Sequence, residues 1–228
     1  MRVSLGFGDK YDIDGVATEH IRLSLLKLLV QIQGTDDRSI LEANVRSMID
    51  QIDSLRLAFD LSRKQIMLPL EPVNVAELAT SVVYKISKKN GIALSNISFG
   101  ALHKSPVLAH KTTLARSLEA MLYAAANSSI YGIKNQLSIS AVKYKEGIKL
   151  GVYAEGAGLD NALNSSHKIS SGKYSTERST LKPSVAAHLY VADVLLGAMG
   201  AEFRLAKHKN NIGVATVLPF SSQLQLVI

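Results

Sequence analysis

From Leu41 the apolar positions fall at Leu41, Val45, Met48, Ile52, Leu55 and Phe59, alternating steps of four and three. That spacing lays one apolar stripe along a helix and forms the seam of a heptad repeat. Upstream, Ile21, Leu25, Leu28 and Ile32 repeat it, and Leu26 and Leu29 widen the stripe. Gly34 suits the position just past a helix end, and Ser39 with Glu42 makes a capping box, so the spacing predicts two helices joined by a turn at Gly34 to Ser39. Two helices cannot enclose so wide a stripe. The hairpin is therefore expected to pair with a second copy of itself as an antiparallel four-helix bundle, making the protein a homodimer.

After Lys64 the period changes, so a second domain is read from Gln65, giving domains at 1–64 and 65–228. Asn74 with Glu77 caps a helix whose buried face is Val75, Leu78, Val82 and Ile86, and Gly91 stops it. Residues 92–98 alternate as a strand. Leu114, Leu118, Met121, Leu122 and Ala125 mark the next helix, and two strands at 136–144 and 148–154 form a β-hairpin about Glu146-Gly147. Pro183 and Ser184 open a last helix with a core face of Val185, Leu189, Ala192, Leu196 and Met199. Gly200 closes it before strands at 201–207 and 213–220. Residues 155–182 have no period and are rich in Ser, Asn, Gly and Lys, the mark of a functional lid or mobile loop.

Composition narrows the function classes. With 228 residues, 47% hydrophobic, the chain can bury a real core. The absence of Cys removes thiolate metal sites, cysteine nucleophiles and disulfides together. No apolar run approaches the roughly 20 residues of a membrane span, and the first residues lack the apolar core of a secretory signal. A cytoplasmic protein is expected. The net charge of +7 is local: residues 1–66 hold 9 Lys and Arg against 10 Asp and Glu, residues 101–182 hold 11 against 5. Those cations are dispersed rather than interleaved with aromatic residues, so a solvated surface is expected rather than a nucleic-acid partner.

The order of elements, with the stretches "EPVNVAELATSVV", "LARSLEAMLYAAANSS", "VYAEGAGLD" and "VLLGAMGAEFRL", resembles the cytoplasmic core of a sensor histidine kinase over nearly the whole chain. The resemblance implies an α+β protein: a dimerisation and phosphoacceptor hairpin, then an α/β sandwich of the histidine kinase, gyrase and heat-shock chaperone ATPase type. It also implies where the chemistry belongs. The family's first helix carries an acceptor His followed by an acid, an apolar residue, an Arg and then a Pro. Here the stretch is Glu19-His20-Ile21-Arg22-Leu23-Ser24, with His and acid exchanged and Ser in place of Pro. His20 with Glu19 supplies the candidate phosphoacceptor and its neighbour, expected at the flank of the seam and semi-exposed.

Nucleotide binding in this fold requires a helix Asn for magnesium, a carboxylate that reads adenine, and glycines that let backbone close on phosphates. The Asn position falls on Ala124, with Asn127 three residues later as a substitute. The adenine-reading Asp position falls on Ala154, beside Glu155; Gly156 and Gly158 stand where the family has them. The last phosphate-binding glycines are replaced by Ser184-Val185-Ala186-Ala187-His188-Leu189, in which His188 is expected on the helix flank. Lys168, Lys173, Arg178 and Lys182 lie in the loop before it.

Three losses in three motifs imply that ATP and magnesium binding is lost or weak, so no cofactor is expected. The expected function is a two-component-type signalling protein, a pseudo-histidine kinase or histidine phosphotransferase docking a response-regulator receiver domain. The alternative is an ATP-dependent sensor histidine kinase using Gly156, Gly158, Glu155 and Asn127 in divergent roles.

Overall fold

The computed structural model describes residues 13–34, 38–63, 67–90, 94–99, 106–128, 136–145, 147–154, 183–208 and 211–221. Two long helices come first, α1 (Ile13–Gly34) and α2 (Arg38–Arg63). Helix α2 already includes Arg38, ahead of the capping box read at Ser39 and Glu42; the turn residues 35–37 lie outside the described residues. Then follow β1 (Glu71–Val73), α3 (Val75–Asn90), β2 (Leu94–Ser98), β3 (Val107–Ala109), α4 (Lys111–Asn127), β4 (Leu137–Tyr144) and β5 (Gly147–Ala154). The chain resumes with α5 (Pro183–Ala198), β6 (Glu202–His208) and β7 (Asn211–Pro219). The domain boundary read at Lys64 falls within residues 64–66, outside the described residues.

Helix α3 opens as its sequence dictates. The Asn74 side-chain oxygen accepts from the backbone N–H of Ala76 at 3.1 Å and of Glu77 at 3.3 Å, while its amide donates to the Glu77 carboxylate at 2.9 Å. Two otherwise orphaned helix N–H groups are thereby satisfied. Helix α4 has a cap the sequence reading missed: the ring nitrogen Nδ1 of His110 accepts from the Thr113 N–H at 3.3 Å. At the end of α5, Gly200 has φ +73°, and the N–H of Gly200 and of Ala201 reach back to the carbonyls of Gly197 and Leu196. This is the paired-bond terminus that a left-handed glycine permits.

Five strands form a mixed sheet in the order β2-β4-β5-β7-β6, parallel between β2 and β4 and antiparallel elsewhere; β1 and β3 pair separately. Register lines Ile139, Val152, Val214 and Leu205 into one row and Ala141, Leu150, Thr216 and Phe203 into the next. Most of these residues belong to the single buried core. The opposite face of β4 is also buried, at Ser138 and Ser140, where alternation alone predicts a wet face. There Tyr153 lies across Gly151, whose missing side chain makes room for the phenol ring.

Helix α4 packs on β4 and β5, and α5 packs on α4 and β6. Helices α1 and α2 pack on each other and both pack on α5. Helix α5 is thus covered over most of its surface. Its Val185, Leu189, Tyr190, Val191, Leu195 and Leu196 are all buried, more than the one core face read from the sequence. Leu55 and Ala58 of α2 join the same core. Part of the helical stripe stays uncovered: Leu29 and Ile32 are each more than half exposed, and so are Val30 and Ile49, which lie outside the stripe. Among the described residues no helix is long and apolar enough to cross a membrane.

Candidate functional site

The site is built where α1 and α2 meet α4 and α5. Three rings form its centre. His188, from the first turns of α5, stacks on Tyr123 of α4, with centroids 5.2 Å apart and planes at 24°. His20 of α1 meets His188 in a T-shaped arrangement, at 5.0 Å and 71°. Both imidazoles are buried, which corrects the expectation of a semi-exposed His20 and a flanking His188. The reason is tertiary: α1 packs on α5 as well as on α2, so His20, which borders the seam beside Met48, Ile52 and Leu55, is also covered by His188.

Burial sets the charge state. Desolvation penalises an imidazolium, and it pushes the His188 pKa down to about 3, with the nearby His20 adding to the shift. His20 is also lowered by burial; a hydrogen bond with Gln51 of α2 partly offsets this, and the charge of Lys27 adds to it. Both rings are therefore neutral near pH 7, the state in which an imidazole nitrogen keeps a lone pair for nucleophilic attack.

Two spaces adjoin the rings. One is a narrow cleft lined by Asp50, Gln51, Lys85, Arg116, Glu119 and Tyr123, which holds an ion pair between Lys85 and Glu119 at 3.0 Å. The other is a cavity of about 300 Å³ between α1, α2 and the facing ends of α4 and α5. His20, Ser24, Lys27, Ser47, Asn127, Ser184 and His188 are among its walls. Three more contacts hold the helical pair down. Phe59 packs on Tyr190 with centroids 5.7 Å apart, the Tyr190 hydroxyl donates to Ser62 Oγ at 3.3 Å, and Arg116 donates to the Asp53 carbonyl at 3.5 Å.

The nucleotide-site candidates are distributed differently. Asn127, the last residue of α4, faces the cavity near His20, whereas Ala124 is fully buried in the core. Ala154, the last residue of β5, is buried too. Glu155, Gly156 and Gly158 lie outside the described residues, as do Lys168, Lys173, Arg178, Lys182 and the side chain of Glu19. Sequence reasoning missed Gln51, Tyr123 and the role of His188 as the wall against His20. A signal for His188 was present, since α5 has almost no polar positions and an imidazole there could hardly avoid burial.

The fold, an α/β portion with a helical pair ahead of it, is similar to that of solved histidine kinases. Among solved structures, the chain is similar to the Acinetobacter baumannii histidine kinase AdeS, at 15% identity and a TM-score of 0.54, over 89% of this chain and 97% of that one. It is also similar to full-length ShkA in complex with AMPPNP, at 18% identity and a TM-score of 0.52, over 91% of this chain and 46% of that one. No family model matches the sequence, and no curated protein matches it.

Proposed function

We propose that this chain is a cytoplasmic two-component-type signalling protein, a pseudo-histidine kinase or histidine phosphotransferase in which His20 accepts and passes on a phosphoryl group. The observation that carries the reading is the contrast between a neutral imidazole at His20 and the buried methyl side chains of Ala124 and Ala154. Neither alanine offers an oxygen to magnesium or adenine, so ATP binding is lost or weak. The phosphoryl donor is then an aspartyl phosphate on a receiver domain. A lone pair of His20 attacks phosphorus, the acyl P–O bond breaks, and the aspartate leaves as carboxylate.

In this reading residues 1–64 form the dimerisation and phosphoacceptor unit and residues 65–228 the degenerate ATPase unit. The exposed apolar residues Leu29, Val30, Ile32 and Ile49 support a four-helix bundle with a second copy. A receiver reaches His20 only after α1 moves off α5, because His20 is 6% exposed. The alternative of an active ATP-dependent kinase is favoured by one observation, the position of Asn127 beside His20 in the cavity wall.

Two measurements test the reading. Thermal unfolding with millimolar Mg-ATP is expected to show no shift, whereas ligand at a hundredfold its Kd would add about 2.7 kcal/mol. Incubation with a phosphorylated receiver is expected to label the wild-type chain and not His20→Ala. A magnesium-dependent shift would put the kinase reading first, and label retained on His20→Ala would remove His20 from its role.

A further inference from the structure

His20 and Gln51 of α2 share all the spaces around the candidate phosphoacceptor ring. Both line the narrow cleft, the 300 Å³ cavity and a small apolar pocket closed by Met48, Ile52 and Leu55. Gln51 is three residues after Met48 and four before Leu55, so the helical period puts it on the same face of α2 as those two apolar residues. A half-buried amide among apolar neighbours costs stability unless it has a partner. The partner of Gln51 is the His20 imidazole.

That bond has a direction. It favours the protonated form of His20, so the ring N–H donates and the Gln51 carbonyl oxygen accepts; an amide N–H donated to the ring lone pair would act in the opposite sense. A neutral imidazole carries one N–H and one free lone pair, on different nitrogens, and the bond that the N–H makes decides which is which. With its N–H committed to Gln51, His20 keeps the lone pair on its other nitrogen. His188 meets the same ring in a T-shaped contact at 5.0 Å. The ring is thus held from α2 and from α5, and a flip that exchanged its nitrogens would break the bond to Gln51.

We propose that Gln51 is the positioning residue of His20: by accepting its N–H it selects one ring tautomer, and with it the one nitrogen that takes a phosphoryl group. The choice of tautomer stands by itself; the choice of phosphorylated nitrogen rests on the phosphotransfer reading. In that step the free lone pair forms the N–P bond, the acyl P–O bond of the donor breaks, and the aspartate leaves with the electron pair as carboxylate. The proton stays on the nitrogen bonded to Gln51, whose carbonyl dipole faces the positive charge that the ring gains.

The test uses the whole chain labelled with ¹⁵N at histidine, at pH 8, with the His20 signals assigned by their loss in His20→Ala. Long-range ¹H–¹⁵N spectra distinguish the two tautomers. Wild type is expected to hold one of them in about tenfold excess, the worth of one hydrogen bond. Gln51→Leu is expected to lose the preference, with Gln51→Met in its place if the Leu variant does not fold, and Gln51→Glu, which keeps an acceptor at the same reach, to restore it. A residue that only filled space would not shift the tautomers. Equal tautomers in wild type, or the same preference in Gln51→Leu, overturn the proposal.

Phosphoramidate then tests the reacting nitrogen. The N–P bond forms at His20 as the P–N bond of the donor breaks and ammonia leaves with its electron pair. One isomer of phosphohistidine in wild type and both in Gln51→Leu support the assignment; both isomers in wild type overturn it. A chain that takes no label at His20 removes the phosphotransfer reading, and the tautomer spectra alone then decide the role of Gln51.

Discussion

His20 on α1 and His188 on α5 meet edge to face, 5.0 Å between ring centroids, and each is shut away from water. Two helices distant in sequence are thus joined through a pair of neutral imidazoles. The unfolded chain titrates each His near 6.5, whereas the folded chain resists the proton at His20 and holds His188 down to about 3. Below pH 6.5 the unfolded state therefore binds more protons, so stability is full above that pH and falls on acidification toward pH 3. The slope approaches about 1.4 kcal/mol per pH unit for each such group. Urea midpoints at pH 7.5 and 5.0 are expected to differ accordingly, and His188→Phe, which keeps a ring on Tyr123, to lose much of the difference. An unchanged pH dependence in His188→Phe would show that the burden lies elsewhere.

At the far end of α2, Phe59 and Tyr190 form the other fastening of the helical pair. Phe59→Ala is expected to cost about 2 kcal/mol, below the 3–5 of a fully enclosed ring because Phe59 is only half-buried. Tyr190→Phe, which loses only the bond to Ser62, should cost about 1 kcal/mol or less. Hydrogen exchange should quicken in α1 and α2 of Phe59→Ala before it quickens in β4 or β5; uniform quickening would mean that the helices do not open separately.

The uncovered apolar residues give a prediction about association. Leu29 and Val30 are 54% and 67% exposed. In a bundle with a second copy these side chains would be buried, and a carboxylate among them would be costly. Leu29→Glu with Val30→Glu is expected to sediment as a monomer with little loss of fold. A wild-type chain that is itself monomeric would end the dimer proposal.

On the sheet, Gly151 is the critical small residue. A methyl at 151 would meet the Tyr153 ring, so Gly151→Ala is expected to cost about 1–3 kcal/mol through overpacking. Pairing it with Tyr153→Leu should recover part of that loss. Chemical denaturation of the two variants measures the coupling, and strict additivity would mean that ring and glycine are independent.

What the sequence disclosed was local. The cap at Asn74, the stop at Gly200 and the strands of the antiparallel hairpin are set by neighbours a few residues away, and each lies where its pattern placed it. Strand β3 has only three residues and the cap before α4 is a His, so neither carried a periodic or compositional mark. The same limit governed the site. Periodicity gave His20 a place on its own helix, but its burial depends on α5, which is more than 160 residues away in the chain. Tyr123 and Gln51 were invisible for the same reason: each looks like an ordinary helix residue until its helix is docked.

Helix α5 is buried over most of its length, and its coat is supplied partly by α1 and α2. A truncated chain beginning at Met67 would strip the covering from Tyr190, Val191 and His188 and turn an internal joint into an adhesive strip. The α/β portion expressed alone would then be prone to clump, and soluble fragments would need polar replacements along that side of α5. The helical pair thus serves as a lid for the remainder of the molecule as well as the carrier of His20.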